Sequence, residues 1–312
     1  MKNSKNRLDG ISTEQSNPRT RRLSSLPIEL TLKIINDEDK QVPDAVRREI
    51  PVIAKAIIQI VNRLEKGGRL IYVGAGTSGR LGVMDAAELI PTFGAGPEIV
   101  RAIIAGGKRA AFQPIEGAED NRRSAVDELK KFGLCSRDVV FGISASGNTP
   151  FVTEALRFAK ARNAEAIALT SNPHSTVYRY AHIVICPRTG PEVLSGSTRM
   201  KAGTAQKLVL NMVSTVTMLR LGRVHGNLMV GLRPTSRKLI ERATMIVARE
   251  TGLKSEAASR KLKEARMDVT VAILMARENL DRQAARDLIK KAQGSLEKAL
   301  ELGKRKRAIG FS

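Results

Sequence analysis

The sequence predicts an α/β fold: a doubly wound parallel sheet of flavodoxin-like order, preceded by helices and followed by a small C-terminal helical domain. Three observations carry this. Short, β-prone apolar runs alternate with helical stretches between residues 70 and 186. Two of these runs end in loops of glycine and hydroxyl residues that open helices. Beyond residue 253 only helical apolar spacing is left.

Residues 1–25 are polar and basic, with little periodicity, and read as an extended arm. Leu26 to Lys66 reads as helices, with Ile50, Ile53, Ile57 and Ile60 on one face and Gly67-Gly68 as the stop. Leu70 to Val73 is the first strand, Gly74 to Gly79 a turn, and Leu81 to Leu89 a helix. Ile99 to Ala105 is the second strand, Gly106 to Asp120 a long loop, and Asn121 to Phe132 a helix. Val139 to Ser144 is the third strand, with its helix at Pro150 to Arg162. Ala166 to Thr170 and Ile183 to Cys186 complete the sheet. Gly190 to Gly203 is a second hydroxyl-rich loop, and Thr204 to Arg220 a long apolar helix.

A further helix covers Thr235 to Thr251. Three or four short ones follow between Ser255 and Leu302, with apolar spacing at Leu262, Val269, Ile273, Leu274, Leu280, Ala285, Leu288 and Ile289. The expected organisation is an arm at 1–25, an α/β domain with flanking helices at 26–252, a helical domain at 253–303 and a basic tail at 304–312.

Composition narrows the function. The net charge of +22 is spread along the chain, and residues 233–312 hold 20 basic and 10 acidic side chains. With no Trp and 3% aromatic residues, base-stacking platforms are not expected. A basic surface that attracts a small anion is expected instead of a specific nucleic-acid site. No run is long enough to span a membrane, and the N-terminus has no apolar signal core. Cys135 and Cys186 stand in no metal spacing and read as reduced thiols of a cytoplasmic protein. His174, His182 and His225 show neither metal nor triad spacing. No metal or other cofactor is expected.

The two strand-end loops are the candidate phosphate site. Thr77 and Ser78 lie in the first. Ser144, Ser146, Asn148 and Thr149 lie in the second. Hydroxyl, amide and helix N-terminal N–H groups bind phosphate oxygens without a metal. In flavodoxin-like order the first and third strands are neighbours, so both loops face the switch point where ligands bind. Gly74, Gly76 and Gly79 also fit a dinucleotide loop, but no acid stands at the end of the next strand. A nucleoside triphosphate loop would end in Gly-Lys-Ser/Thr, and neither loop does. Glu88, near the far end of the first of these helices, is the candidate carboxylate, and the long loop after the second strand carries Glu116 and Glu119.

These loops resemble those of the sugar isomerase (SIS) family of phosphosugar-binding domains. More closely, GAGTSGRLGVMDAAE, PTFG, IAGG, EGAED, SASGNTP, TSNP and GPEVLSGSTRMKAGTAQKLVLNM, in this order, resemble the N-acetylmuramic acid 6-phosphate etherases. The likeness runs from Asn17 to the end of the helical domain, which itself resembles a ubiquitin-associated bundle. It departs at Leu89-Ile90, where etherases commonly carry Cys-Pro, and in the strong positive charge.

The resemblance implies a lyase that removes the lactyl ether of a phosphosugar, with Glu88 and Glu119 as the catalytic carboxylates. Ser197, Thr198, Arg199 and Lys201 are further candidates to meet the phosphate or lactyl carboxylate. The other classes to weigh are a non-catalytic phosphosugar sensor, such as the related glucokinase regulatory protein, and an aldose–ketose isomerase. Glu88 lies about ten residues beyond the Thr77-Ser78 turn, roughly 15 Å along a helix axis. That exceeds the reach of a hexose phosphate, so either the phosphate sits mainly on the Ser144 to Thr149 loop with the sugar reaching across, or Glu88 comes from a second subunit; the apolar helix Thr204 to Arg220 and the resemblance to SIS proteins favour the second, and a homodimer is expected.

Overall fold

The computed structural model describes residues 12–309. The first eleven residues of the expected arm and the last three of the basic tail lie outside them. Contacts divide the chain into two compact units, residues 1–86 with 97–214, and residues 87–96 with 215–312.

The first unit is built on five parallel strands: β1 (Leu70–Gly74), β2 (Val100–Ile104), β3 (Val139–Ile143), β4 (Glu165–Leu169) and β5 (Ile183–Ile185). Their order is β2-β1-β3-β4-β5, the flavodoxin-like order expected. Gly74 pairs in register with Ile143, so the chain leaves β1 and β3 at the same level.

Every residue of β1, β3 and β4 is buried, which fits near-continuous apolar strands covered on both faces. Ile71, Val73, Val140, Ala166 and Ala168 share one core with Leu129 and with Phe151, Val152 and Leu156. Those partners come from α5 (Arg122–Lys131) and α6 (Pro150–Ala161). Three N-terminal helices precede the sheet: α1 (Ile28–Asp39), α2 (Gln41–Arg48) and α3 (Ile50–Leu64), of which α3 packs on β4 and β5.

The helix after β1, α4, runs Gly76–Phe93, and the long helix α8 runs Lys201–Arg220. Both start earlier than the spacing predicted. The expected turn at 74–79 is mostly the first turn of α4, because its glycines let the helix begin hard against the strand. A Cβ on Gly79 would fall 2.6 Å from Ile104 Cγ1 and 2.8 Å from Gly74 O.

A buried polar pin joins β1, α4 and α8. The Tyr72 hydroxyl donates to Asp85 Oδ2 at 3.0 Å. Asp85 Oδ1 lies 3.1 Å from Ser214 Oγ, which is also 2.9 Å from Leu210 O one turn back. Burial pushes the Asp85 carboxyl above its ordinary value, against the hydrogen bonds of Tyr72 and Ser214.

Residues 12–25 are not an extended arm. They form three short 3-10 turns, and Thr13, Asn17 and Thr20 are buried. Polar contacts do this, so hydropathy gave no sign of it.

The second unit is helical. Its core gathers α9 (Arg237–Thr251), α10 (Ser255–Glu264), α11 (Val269–Glu278), α12 (Arg282–Lys291) and α13 (Leu296–Ile309). The spaced positions Leu262, Val269, Ile273, Leu274, Ala285 and Leu288 are buried there, with Leu280 and Ile289 packed against them. From α9, Ala243, Ile246 and Val247 enter the same core. Side-chain caps set the starts: Ser236, Asp268 and Asp281 accept from Leu239 N, Val271 N and Ala284 N. Left-handed Gly252 and Asn279 end α9 and α11.

Among the described residues no helix is long and apolar enough to cross a membrane. None of them cluster as His, Cys, Asp or Glu ligands for a metal ion. Cys135 and Cys186 are unpaired.

Candidate active site

The loop from Ser144 to Thr149 follows β3 and ends at Pro150, the first residue of α6. Proline at that position starts a helix at no hydrogen-bonding cost, since its missing N–H would have no partner there. The Ser144 and Thr149 hydroxyls lie 2.8 Å apart. Gly147 N donates to Ser144 Oγ at 3.0 Å, and Asn148 N to Ser146 Oγ at 3.2 Å.

A second tier from the loop after β4 supports this one. Thr170 Oγ1 donates to Ala145 O at 3.1 Å, and Asn172 Nδ2 to Ser146 O at 3.0 Å. Asn148 Oδ1 accepts from both Thr176 N and Thr176 Oγ1 at 2.8 Å. Gly147 has φ +66°, and a Cβ there would meet Ser175 Oγ at 2.3 Å and Thr170 Oγ1 at 2.7 Å. Only glycine fits.

The turn after β1 leaves beside this loop, as the register of β1 and β3 requires. Ser78 is buried and Thr77 half-buried at the start of α4. The start of α8 joins them. Gly203 N donates to Thr198 O at 2.9 Å, and a Cβ on Gly203 would lie 3.6 Å from Thr77 Cγ2. Ser197 and Thr198 are half-buried there, and Arg199 is exposed. The first unit therefore brings together Thr77, Ser78, Ser144, Ser146, Asn148, Thr149 and Thr198 at the C-terminal end of its sheet.

Lys201 is placed differently. Its side chain is buried and its Nζ donates to Glu38 Oε2 at 2.6 Å. Sequence reasoning missed this partner, which stands on α1, and missed Glu192. Glu192 is fully buried and caps α8 by accepting from Lys201 N and Ala202 N, each at 2.9 Å. Burial raises the Glu192 carboxyl above its ordinary value, against those two N–H groups. The supporting tier Thr170–Thr176 was visible only as a run of hydroxyl and amide residues after β4.

Glu119 lies in the 3-10 turn Ala118–Asp120, entered through left-handed Gly117. Its side chain is exposed, as is that of Glu116. The turn packs on α6, and Ala118 rests on the core that contains Phe151. Glu119 is thus anchored beside the helix that the Ser144–Thr149 loop opens. Asn121 caps the following helix by accepting from Ser124 N. Glu88 lies on the stretch of α4 that belongs to the second unit, one turn beyond Asp85, and is exposed. Leu89 beside it is buried and Ile90 exposed.

Over 294 residues the chain is 49% identical to an N-acetylmuramic acid 6-phosphate etherase of Clostridium beijerinckii, covering 94% of this chain and 97% of that protein. A Mesorhizobium japonicum protein of the same name is 49% identical over 293 residues, covering 94% and 95%.

The chain belongs to the N-acetylmuramic acid 6-phosphate etherase family.

The etherase match spans both compact units. Within it, residues 52–160 match the family of the glucokinase regulatory protein N-terminal SIS domain, and residues 133–216 match the SIS domain family. Among solved structures, a phosphoheptose isomerase from Francisella tularensis is similar at 19% identity and a TM-score of 0.48. It covers 61% of this chain and 98% of its own.

Proposed function

We propose that this protein cleaves the D-lactyl ether of N-acetylmuramic acid 6-phosphate, giving N-acetylglucosamine 6-phosphate and D-lactate. Membership of the etherase family carries this reading. The chemistry asks for two proton-transfer groups and a phosphate anchor. In the open-chain aldehyde, the C1 carbonyl acidifies the C2 proton. One carboxylate removes that proton while the C3–O bond breaks, and a carboxylic acid gives a proton to the departing lactate oxygen. Water then adds at C3 of the unsaturated aldehyde and a proton returns to C2. Glu88 is the assigned donor to lactate and Glu119 the partner acid/base.

The loop Ser144–Thr149 with Thr77 and Ser78 is the assigned phosphate anchor, with Ser197 and Thr198 beside it. This assignment is supported by helix N-termini and hydroxyls gathered at one switch point. The two unpaired thiols, Cys135 and Cys186, are the feature behind placing the reaction in the cytoplasm. Thr77 and Glu88 share one helix, and the span between them exceeds a hexose phosphate. The preferred reading is a homodimer in which Glu88 of one chain serves the phosphate loops of the other; the alternative seats the phosphate mainly on the Ser144–Thr149 loop, with the sugar reaching across.

Lactate release from the muramic acid phosphate, with EDTA present, tests the activity. Product formed in heavy water is expected to carry deuterium at C2. Glu88→Gln and Glu119→Gln are each expected to lose about 10²-fold or more in activity. Mixing Glu88→Gln subunits with inactive phosphate-loop mutant subunits is expected to restore activity. Failure after confirmed subunit exchange would mean that each chain builds its own site. The match to the glucokinase regulatory protein domain supports one other reading, a sensor that binds phosphosugar; it would bind substrate and release no lactate.

A further inference from the structure

Lys201 opens α8 three residues after Thr198, yet it is 1% exposed and its partner Glu38 is 2% exposed. Glu38 is fully engaged. Oε2 accepts from Lys201 Nζ at 2.6 Å and from Asn17 Nδ2 at 2.8 Å, and Oε1 accepts from Arg19 at 2.9 Å. Burial alone would raise this carboxyl, but the Lys201 and Asn17 hydrogen bonds and the charges of Lys201 and Arg19 hold it below its ordinary value.

Around the pair, the N-terminal turns are stitched to the loop that leads into α8. Thr20 Oγ1 donates to Val193 O at 2.8 Å, Gly196 N to Thr13 O at 2.9 Å, and Ser195 Oγ to Gln15 O at 3.3 Å. Asn17 Nδ2 also reaches Pro191 O at 3.4 Å. The end of the stitched loop is the Thr198–Gly203 contact that abuts Thr77.

We infer that Lys201 and Glu38 are positioning residues for the candidate site: their buried pair, with Asn17 and Arg19 on the same carboxylate, fastens α1 and residues 13–20 to residues 191–202. The pair thereby fixes Ser197 and Thr198 beside the phosphate turn, and Lys201 does not itself meet substrate. This rests on the etherase reading above. The physical signature is specific. Removing one member of a buried pair strands the other charge, whereas removing both leaves two uncharged side chains that pack. A lysine that binds substrate behaves otherwise, because no second change restores its missing charge.

The test is a double-mutant cycle in the full chain: Lys201→Met, Glu38→Gln and the two together. The readouts are lactate-release kinetics and limited proteolysis within residues 191–202. Each single change is expected to raise KM, lower kcat and open the loop to protease. The double variant is expected to recover at least about tenfold in kcat/KM over the worse single, with the loop protected again. A double variant no more active than Lys201→Met, with its loop as protected as in wild type, would overturn the inference and return Lys201 to the substrate.

Thr20→Val removes one stitch and no charge, so it tests the strap if the charge variants fold poorly. It is expected to raise KM and proteolysis together, and no change in either would overturn the strap. Wild-type protein that releases no lactate would sink the etherase reading alone, since the proteolysis cycle still reports on the pair.

Discussion

The loop from Ser144 to Thr149 and the segment from Gly106 to Asp120 leave the same sheet and differ in almost every physical respect. The first holds its hydroxyls on one another, and its Ala145 and Ser146 carbonyls and Asn148 side chain on a second tier of Thr170, Asn172 and Thr176. Ser144 is 3% exposed. The second presents Glu116 and Glu119 to solvent and carries Phe112 at 93% exposure. Anchoring a phosphate needs donors fixed in advance, because ordering them on binding would cost affinity. A proton-transfer group works in a closed complex, so its free state does not need to be enclosed. The proposed anchor is therefore built in advance, while the proposed acid/base groups await substrate and, in the proposed assembly, a second subunit.

Breaking the anchor at its tightest point is expected to have the largest effect. Gly147→Ala forces a Cβ into Ser175 and Thr170 at a left-handed φ. It is expected to cost about 1–3 kcal/mol of stability in denaturant melts and to abolish saturable kinetics. Wild-type kinetics in this variant would mean the loop does not bind phosphate. Smaller changes sharpen the contrast. Ser146→Ala and Thr149→Val are expected to raise KM by more than they lower kcat. Unchanged saturation for both would place the phosphate elsewhere. On the exposed side, Glu119→Gln is expected to shift stability by no more than about 0.5 kcal/mol while activity falls. A large stability loss in that variant would mean Glu119 is structural.

Much of this was legible in the sequence because local signals carried it. β-prone runs ending in Gly74 to Gly79 and Ser144 to Thr149 placed both loops at one switch point. The apolar spacing from Leu262 to Ile289 placed the helical core. What was hidden depended on partners far along the chain. Glu38 and Lys201 are 163 residues apart, and each alone reads as a solvated charge. Thr13, Asn17 and Thr20 are polar, so hydropathy leaves them in an arm although they are buried. The start of α4 was misjudged because glycines read as a turn, while here they permit close packing. The roles proposed for Glu88 and Glu119 rest on resemblance, since exposed glutamates carry no local signature.

The pin of Tyr72, Asp85 and Ser214 has a consequence for how the protein's stability varies with pH. Ser214 has one hydroxyl hydrogen and two acceptors within reach, Asp85 Oδ1 and Leu210 O. The count closes if Asp85 keeps its own proton: it donates to Ser214, Ser214 donates to Leu210, and Tyr72 donates to Asp85. A carboxyl held protonated in the fold ionises first in the unfolded chain. Stability is then full below the ordinary carboxylate value of about 3.9 and drains as pH rises through the raised folded value. An amide offers the same donor and acceptor with nothing to ionise. Asp85→Asn is accordingly expected to flatten the stability–pH profile over that window, measured by chemical denaturation at a series of pH values. A slope equal to wild type's would put the proton elsewhere. A pin with that proton trades some stability above the acid range for a charge-free joint between a strand and two helices.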